Sequence, residues 1–301
     1  MNSKGTTVRI VLPLAAAAAV CTIVVASAAS DHSSSRTAPK AVSGQPAAAP
    51  PAKADVGDPN DPASWRLPIE AYVQAPSALR TLTNVRDDMM DECMSEAGFD
   101  NWKPAPDLPN LDGTSFTDGR YGIENADQVA KWGYHHDPAL MQAYNDAMSE
   151  GAVDETGAPD EQVRQCSDQA GQAGAPVAQS NPLVEQIDIE GYKTSLTEPA
   201  VKDQFAKWSA CMKAKGYNYA APPDAQEDPA FNDPETITPQ EIATAKDDLA
   251  CRNQSPVAKT WFDTEVKLQQ AAIAKNQEAL NATRTANQAQ AAKAAKLAQT
   301  R

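Results

Sequence analysis

The residues of this chain best placed to do chemistry are four cysteines, Cys93, Cys166, Cys211 and Cys251, with a fifth, Cys21, inside an apolar N-terminal run. Thiols can carry electrons, hold zinc or close disulfides, and spacing separates these uses. Redox and zinc sites favour tight C-x-x-C pairs, whereas neighbouring cysteines here lie at least 40 residues apart. That leaves structural disulfides, with three possible pairings for four cysteines. An internal repeat selects one of them. Cys93-Met94-Ser95-Glu96-Ala97-Gly98-Phe99-Asp100 matches Cys211-Met212-Lys213-Ala214-Lys215-Gly216-Tyr217-Asn218, and a Pro-rich stretch and a later helix with a second cysteine follow each copy. Two copies of one module predict the bridges Cys93–Cys166 and Cys211–Cys251.

Other chemistry-bearing sets are weaker. His135 and His136, before Asp137, invite a metal or a proton relay, but adjacent residues seldom point at one ion, and no further ligand stands at the right spacing. Asp137 before Pro138 already reads as a helix N-cap. Neither a metal nor a cofactor is expected. The stretch Asn110 to Gly113 resembles part of a calcium loop but lacks its end carboxylates, at Leu108 and Gly119. Acid pairs such as Asp87-Asp88 and Asp247-Asp248 read as solvated helix faces. No serine occupies a nucleophile elbow, so a triad would depend on the adjacent histidines. The remaining prospect is a ligand pocket in Trp102 to Gly157, the main difference between the copies, where Tyr121, Trp132, Tyr134, His135 and Tyr144 cluster.

The elements that would position these residues are helices. Leu79, Leu82, Val85, Met89 and Cys93 recur every three or four residues from Ser77, and Gly98 stops that run. Pro199 opens the equivalent helix of the second copy, with Phe205, Trp208 and Cys211 or Met212 as its apolar stripe and Gly216 as its stop. Further helices are expected over 125–132, 138–148 and 160–169, the last ended by Gly171, and another from Asn181-Pro182. Thr238-Pro239-Gln240-Glu241 is a capping box, opening a helix that turns Ile242, Leu249 and Cys251 inward. One long helix should run from Pro256 to the terminus. The fold class expected is all-α, with two disulfide-stapled modules.

Compartment follows from the N-terminus. Lys4 and Arg9 precede an apolar run from Ile10 to Val25, and Ala26-Ser27-Ala28 suits a signal peptidase. Residues 1–29 therefore form a signal peptide or, uncleaved, a membrane anchor, and 30–62 an Ala-, Pro- and Ser-rich disordered linker. The expected modules span 63–178 and 179–283, and a fraying helical tail 284–301. The chain carries a formal charge of -14, which falls to -16 without the segment bearing Lys4 and Arg9. Such acidity argues against nucleic acid as a partner, and membrane contact would come only through residues 1–29.

The Leu-Pro-x-x-Ala-Tyr segment (Leu67 to Tyr72), the two Cys-Met-x-x-x-Gly-aromatic motifs, Arg120-Tyr121-Gly122-Ile123 and Lys131-Trp132-Gly133-Tyr134-His135 resemble uncharacterised exported proteins of high-GC Gram-positive bacteria. The likeness covers about residues 65 to 280 and implies compartment and fold rather than an activity. The expectation is a non-enzymatic, secreted or envelope-held interaction protein. The alternative is a small-ligand-binding protein or enzyme whose pocket lies in Trp102 to Gly157.

Overall fold

The computed structural model describes residues 55–58, 61–111, 115–151, 157–234 and 236–301. The expected signal segment, and the linker as far as residue 54, lie outside the described residues. Ten α-helices and three short 3-10 turns make up the regular structure, with no strand among the described residues. The helices are α1 (Pro76–Glu96), α2 (Ala126–Trp132), α3 (Pro138–Gly151), α4 (Asp160–Ala173), α5 (Pro182–Ser195), α6 (Pro199–Ala214), α7 (Pro222–Gln226), α8 (Pro239–Asn253), α9 (Val257–Lys275) and α10 (Gln277–Ala298).

Proline at the first helical position opens several of these elements, because its fixed φ suits the helix and its missing N–H has no partner there. Asn125, Asn181 and Thr238 cap α2, α5 and α8 with side-chain oxygens. The shared Cys-Met-x-x-x-Gly-aromatic spacing has a physical origin at two helix ends. Phe99 N–H donates to the Met94 carbonyl at 2.9 Å, and Tyr217 N–H to that of Met212 at 3.1 Å. Between them Gly98 and Gly216 adopt φ of 87° and 98°. Both are Schellman caps, in which the glycine takes the left-handed conformation and the following aromatic folds back onto the methionine. Both methionines are fully buried.

The predicted bridges are present. Cys93 of α1 joins Cys166 of α4, and Cys211 of α6 joins Cys251 of α8, each with Cα atoms 5.7 Å apart. Two such bonds fit folding in an oxidising compartment. No described helix is long and apolar enough to cross a membrane.

α9 is the centre of the larger core, packed by α5 and α6. Its partners come from far away in sequence: Trp65 stacks on Phe262 with centroids 4.4 Å apart, and Tyr121 meets Trp261 edge-on at 5.4 Å. A second cluster joins Leu82, Val85 and Met89 of α1 to Ala170 and Ala175 around α4, and to Ala294 of α10.

Several expectations need correction. Residues 54–301 form one compact unit, so 63–178 and 179–283 are not separate bodies; Trp65, Leu67, Ile69 and Tyr121 complete the core of α5 to α9. Packing begins before residue 62, with Val56 against that core and Trp65 Nε1–H donating to the Asp58 carbonyl. Gly171 lies within α4, and Gly174, at φ 118°, ends it. Residues 257–298 form two helices, because Asn276 Nδ2–H donates to the Ala272 carbonyl and caps α9. The tail is helical as far as Ala298 and docked on the fold: Ala294 is buried, Asn287 Nδ2–H donates to the Tyr72 carbonyl, and Arg301 pairs with Glu92.

Candidate functional site

Two loop segments dock on α8 and α9, and each does so through a glycine. Arg120-Tyr121-Gly122 runs against Arg252, and Gly133-Tyr134-His135 against Glu241. A Cβ at Gly122 would overlap the Arg252 guanidinium, and one at Gly133 would press on the Glu241 carboxylate. Gly122 also holds φ of 105°, a conformation that costs a side-chain-bearing residue roughly 1–3 kcal/mol. Gly122→Ala should therefore lower unfolding free energy by at least about 2 kcal/mol, measured by urea denaturation, and displace Arg252.

The docking is fixed by buried charge. Arg120 grips Glu265 with two bonds, Nη2 to Oε1 at 2.6 Å and Nε to Oε2 at 3.1 Å, and also reaches Asp188 at 3.0 Å. Tyr121 OH donates to the same Glu265 at 2.8 Å. Gln269 Nε2 donates to Glu265 Oε1, and Gln269 Oε1 accepts from the Ile69 N–H. Burial works against the Arg120 charge, but Glu265 and Asp188 outweigh it and hold the guanidinium protonated more firmly than usual. Burial pushes the Glu265 carboxyl up, against the pull of Arg120 and Tyr121.

On α8, Asp248 accepts from Arg252 Nε at 2.7 Å, from Trp208 Nε1 at 2.7 Å and from Tyr134 OH at 3.2 Å. Arg252 Nη1 donates to the Tyr121 carbonyl at 2.6 Å. Tyr121 thus ties the two charge clusters together, through its hydroxyl to one and its carbonyl to the other. Burial and the Asp248 carboxylate push the Tyr134 hydroxyl well above its ordinary range. One turn from the start of α8, Glu241 Oε1 accepts from the Tyr134 N–H at 2.9 Å and faces His135 Nδ1 at 2.6 Å.

Between these loops and α5, α7 and α8 opens a cleft of about 1090 Å³. Its walls include Trp132, Tyr134, Tyr192 and Trp261, the acids Asp118, Glu124 and Glu227, and the buried Arg252. Glu124 is accessible to solvent, yet the surrounding protein and Asp118 raise its carboxyl while Arg252 lowers it.

Of the five residues expected to form a pocket, Trp132 and Tyr134 line this cleft. Tyr121 instead lies in the aromatic core, because its ring completes the packing of Trp261 and Phe262. His135 turns away to Glu241 and the Asp233 carbonyl, and His136 stands on the cleft wall. Tyr144 lies on α3, outside the lining. As expected, Asp137 caps α3, accepting from the Ala139 N–H at 2.8 Å.

Sequence reasoning missed Asp188, Glu241, Asp248, Arg252, Glu265 and Gln269. Thr238 caps α8, but Glu241 does not complete the expected capping box, being drawn into the Tyr134 and His135 contacts. Ile242 and Leu249 are only half-buried, while Glu241, Ala245, Asp248 and Arg252 form the inner face of α8. Their spacing of four, three and four residues was the available signal: polar residues in phase with a buried stripe. Glu265 and Gln269 repeat it on α9, each four residues beyond the last from Trp261. No protein-family model, curated protein or solved structure matches this chain.

Proposed function

We propose that this chain is an exported binding protein whose cleft captures a small ligand and releases it unchanged. The observation carrying this reading is a concave, part-aromatic cleft of about 1090 Å³ whose walls are fixed by buried ion pairs. Walls set before the ligand arrives reduce the ordering cost of binding, and a few polar groups among aromatics are the usual make-up of a ligand pocket. The buried carboxylates beneath the cleft are held by Arg120, Arg252, Tyr121, Tyr134 and Trp208, which suits them to hold shape rather than to shuttle protons. Export is supported by the positive, apolar and small-residue order of residues 1–29 and by the two disulfides. The protein then works as a secreted or envelope-held molecule, with membrane contact only where residues 1–29 persist as an anchor.

Pools of polar metabolites and short peptides should raise the melting temperature of the full chain. Trp132→Ala should abolish that rise while leaving far-UV circular dichroism unchanged. A melting temperature indifferent to every pool would overturn the reading.

A second reading, docking of an envelope protein, is favoured by α3. Leu140, Met141 and Tyr144 on one side of this helix are only half-buried and Met148 is 49% exposed. A photo-crosslinker placed at Tyr144 gives one discrete protein adduct in envelope extracts under this reading and none if α3 serves only the cleft.

A further inference from the structure

The cleft wall holds one cationic group with unused bonding capacity. Arg252 is 7% exposed and donates through Nε to Asp248 and through Nη1 to the Tyr121 carbonyl. Its Nη2 bonds to no described residue and lies beside Gly122, another residue of the wall. A rigid, largely desolvated N–H pair of this kind favours a planar oxygen acceptor such as a carboxylate.

Arg120, the wall's other guanidinium, is spent on Glu265 and Asp188, and the carboxylates of the wall have the opposite sign. Asp188 is neutralised by Arg120 and Asp137 is occupied by its cap. The carboxylates of Glu124 and Glu227, however, make no hydrogen bond or ion pair with any described residue. A simple anion would meet the Arg252 donor but be repelled by these carboxylates. A simple cation would suit the carboxylates but leave Nη2 unpaired. A ligand carrying both charges satisfies both, and the Trp132, Tyr134 and Tyr192 side chains supply apolar surface for the remainder. Resting on the binding reading above, we infer that the cleft takes a zwitterion with a carboxylate on Arg252 and an ammonium between Glu124 and Glu227. Free amino acids and short peptides share this chemistry.

The test titrates the full chain with phenylalanine, phenylalaninamide, N-acetylphenylalanine and phenylalanyl-alanine, using calorimetry and intrinsic tryptophan fluorescence. Removing the ligand's carboxylate or its ammonium should each weaken binding by about tenfold or more. Glu124→Gln should weaken phenylalanine by about tenfold and leave N-acetylphenylalanine unchanged. Arg252→Lys, which keeps the charge beside Asp248 but loses the spare N–H pair, should weaken phenylalanine and spare its amide. Where that variant fails to fold, Glu124→Gln and the amide comparison decide. Tighter binding of phenylalanine assigns the site to free amino acids, and tighter binding of the dipeptide assigns it to peptides. Equal affinity for all four probes overturns the inference. Should none bind while another molecule gives a Trp132-dependent melting shift, the zwitterion is overturned and the binding reading stands. If no molecule shifts melting, both fall.

Discussion

Arg120→Ala should lower the unfolding free energy by about 3–5 kcal/mol at neutral pH, the largest loss expected from any single side chain outside the disulfides. Glu265 has no solvent exposure and receives bonds from Arg120, Tyr121 and Gln269. Removing the guanidinium leaves a carboxylate in the core with neutral donors only. The loss should also depend on pH. Burial already raises the Glu265 carboxyl above its ordinary 4.5, so over that window the folded state retains a proton that the unfolded chain has released. Stability from this group therefore falls as pH rises through the window. Arg120 holds the carboxyl down, and without it the pKa rises further, so the variant can relieve its buried charge by protonation. The loss should be smallest in acid and grow toward neutrality. Urea denaturation of both proteins across that range measures it, and a pH-independent difference would show that Glu265 is not the buried charge left unpaired. Arg120→Lys should recover only part of the loss, since an ammonium cannot form the two parallel bonds.

Reduction of the two disulfides should cost a comparable amount each. The bridged loops span 73 and 40 residues, for which chain-entropy reasoning gives about 4 kcal/mol apiece. Their sum approaches the whole stability of a typical domain, about 5–15 kcal/mol. Thermal unfolding with and without a phosphine reductant should show a large fall in midpoint, and the doubly reduced chain should be partly unfolded at 37 °C. Cys93→Ala with Cys166→Ala, and Cys211→Ala with Cys251→Ala, separate the contributions. The second pair should affect the cleft more, because Cys251 immediately precedes Arg252 on α8, whereas Cys93 and Cys166 staple α1 to α4 away from it. A midpoint unchanged by reduction would mean that neither bridge constrains the unfolded chain.

The parts of this architecture legible in the sequence are those written in local spacing. The repeat around Cys93 and Cys211 encodes a helix end, its left-handed glycine and its returning aromatic within eight residues, so both caps and both bridges could be read from it. The same holds for the proline-led helix starts. The larger assembly was not legible, because it depends on residues that meet from 50 to 200 positions apart. Ile69 meeting Gln269, and Tyr121 meeting Glu265, leave no local trace. The pair Asp247-Asp248 reads as a solvated face because acidic side chains are usually exposed; only a partner from elsewhere makes Asp248 and Glu265 interior. The cleft was half-read for the same reason. Its aromatics were visible in the loop after Trp102, but Asp188, Tyr192, Glu227 and Arg252 come from the second half of the chain.

The packing of α10 on α1 also bears on when the molecule can finish folding. The face of α1 formed by Leu82, Val85 and Met89 meets Ala294 across more than 200 residues of chain. Such long-range closure is slow to form, and here its last component lies within eight residues of the C-terminus. Until α10 is in place this face of α1 stays open to water, so the first helix cannot be finished by its own neighbours in sequence and its burial waits on the last helix described.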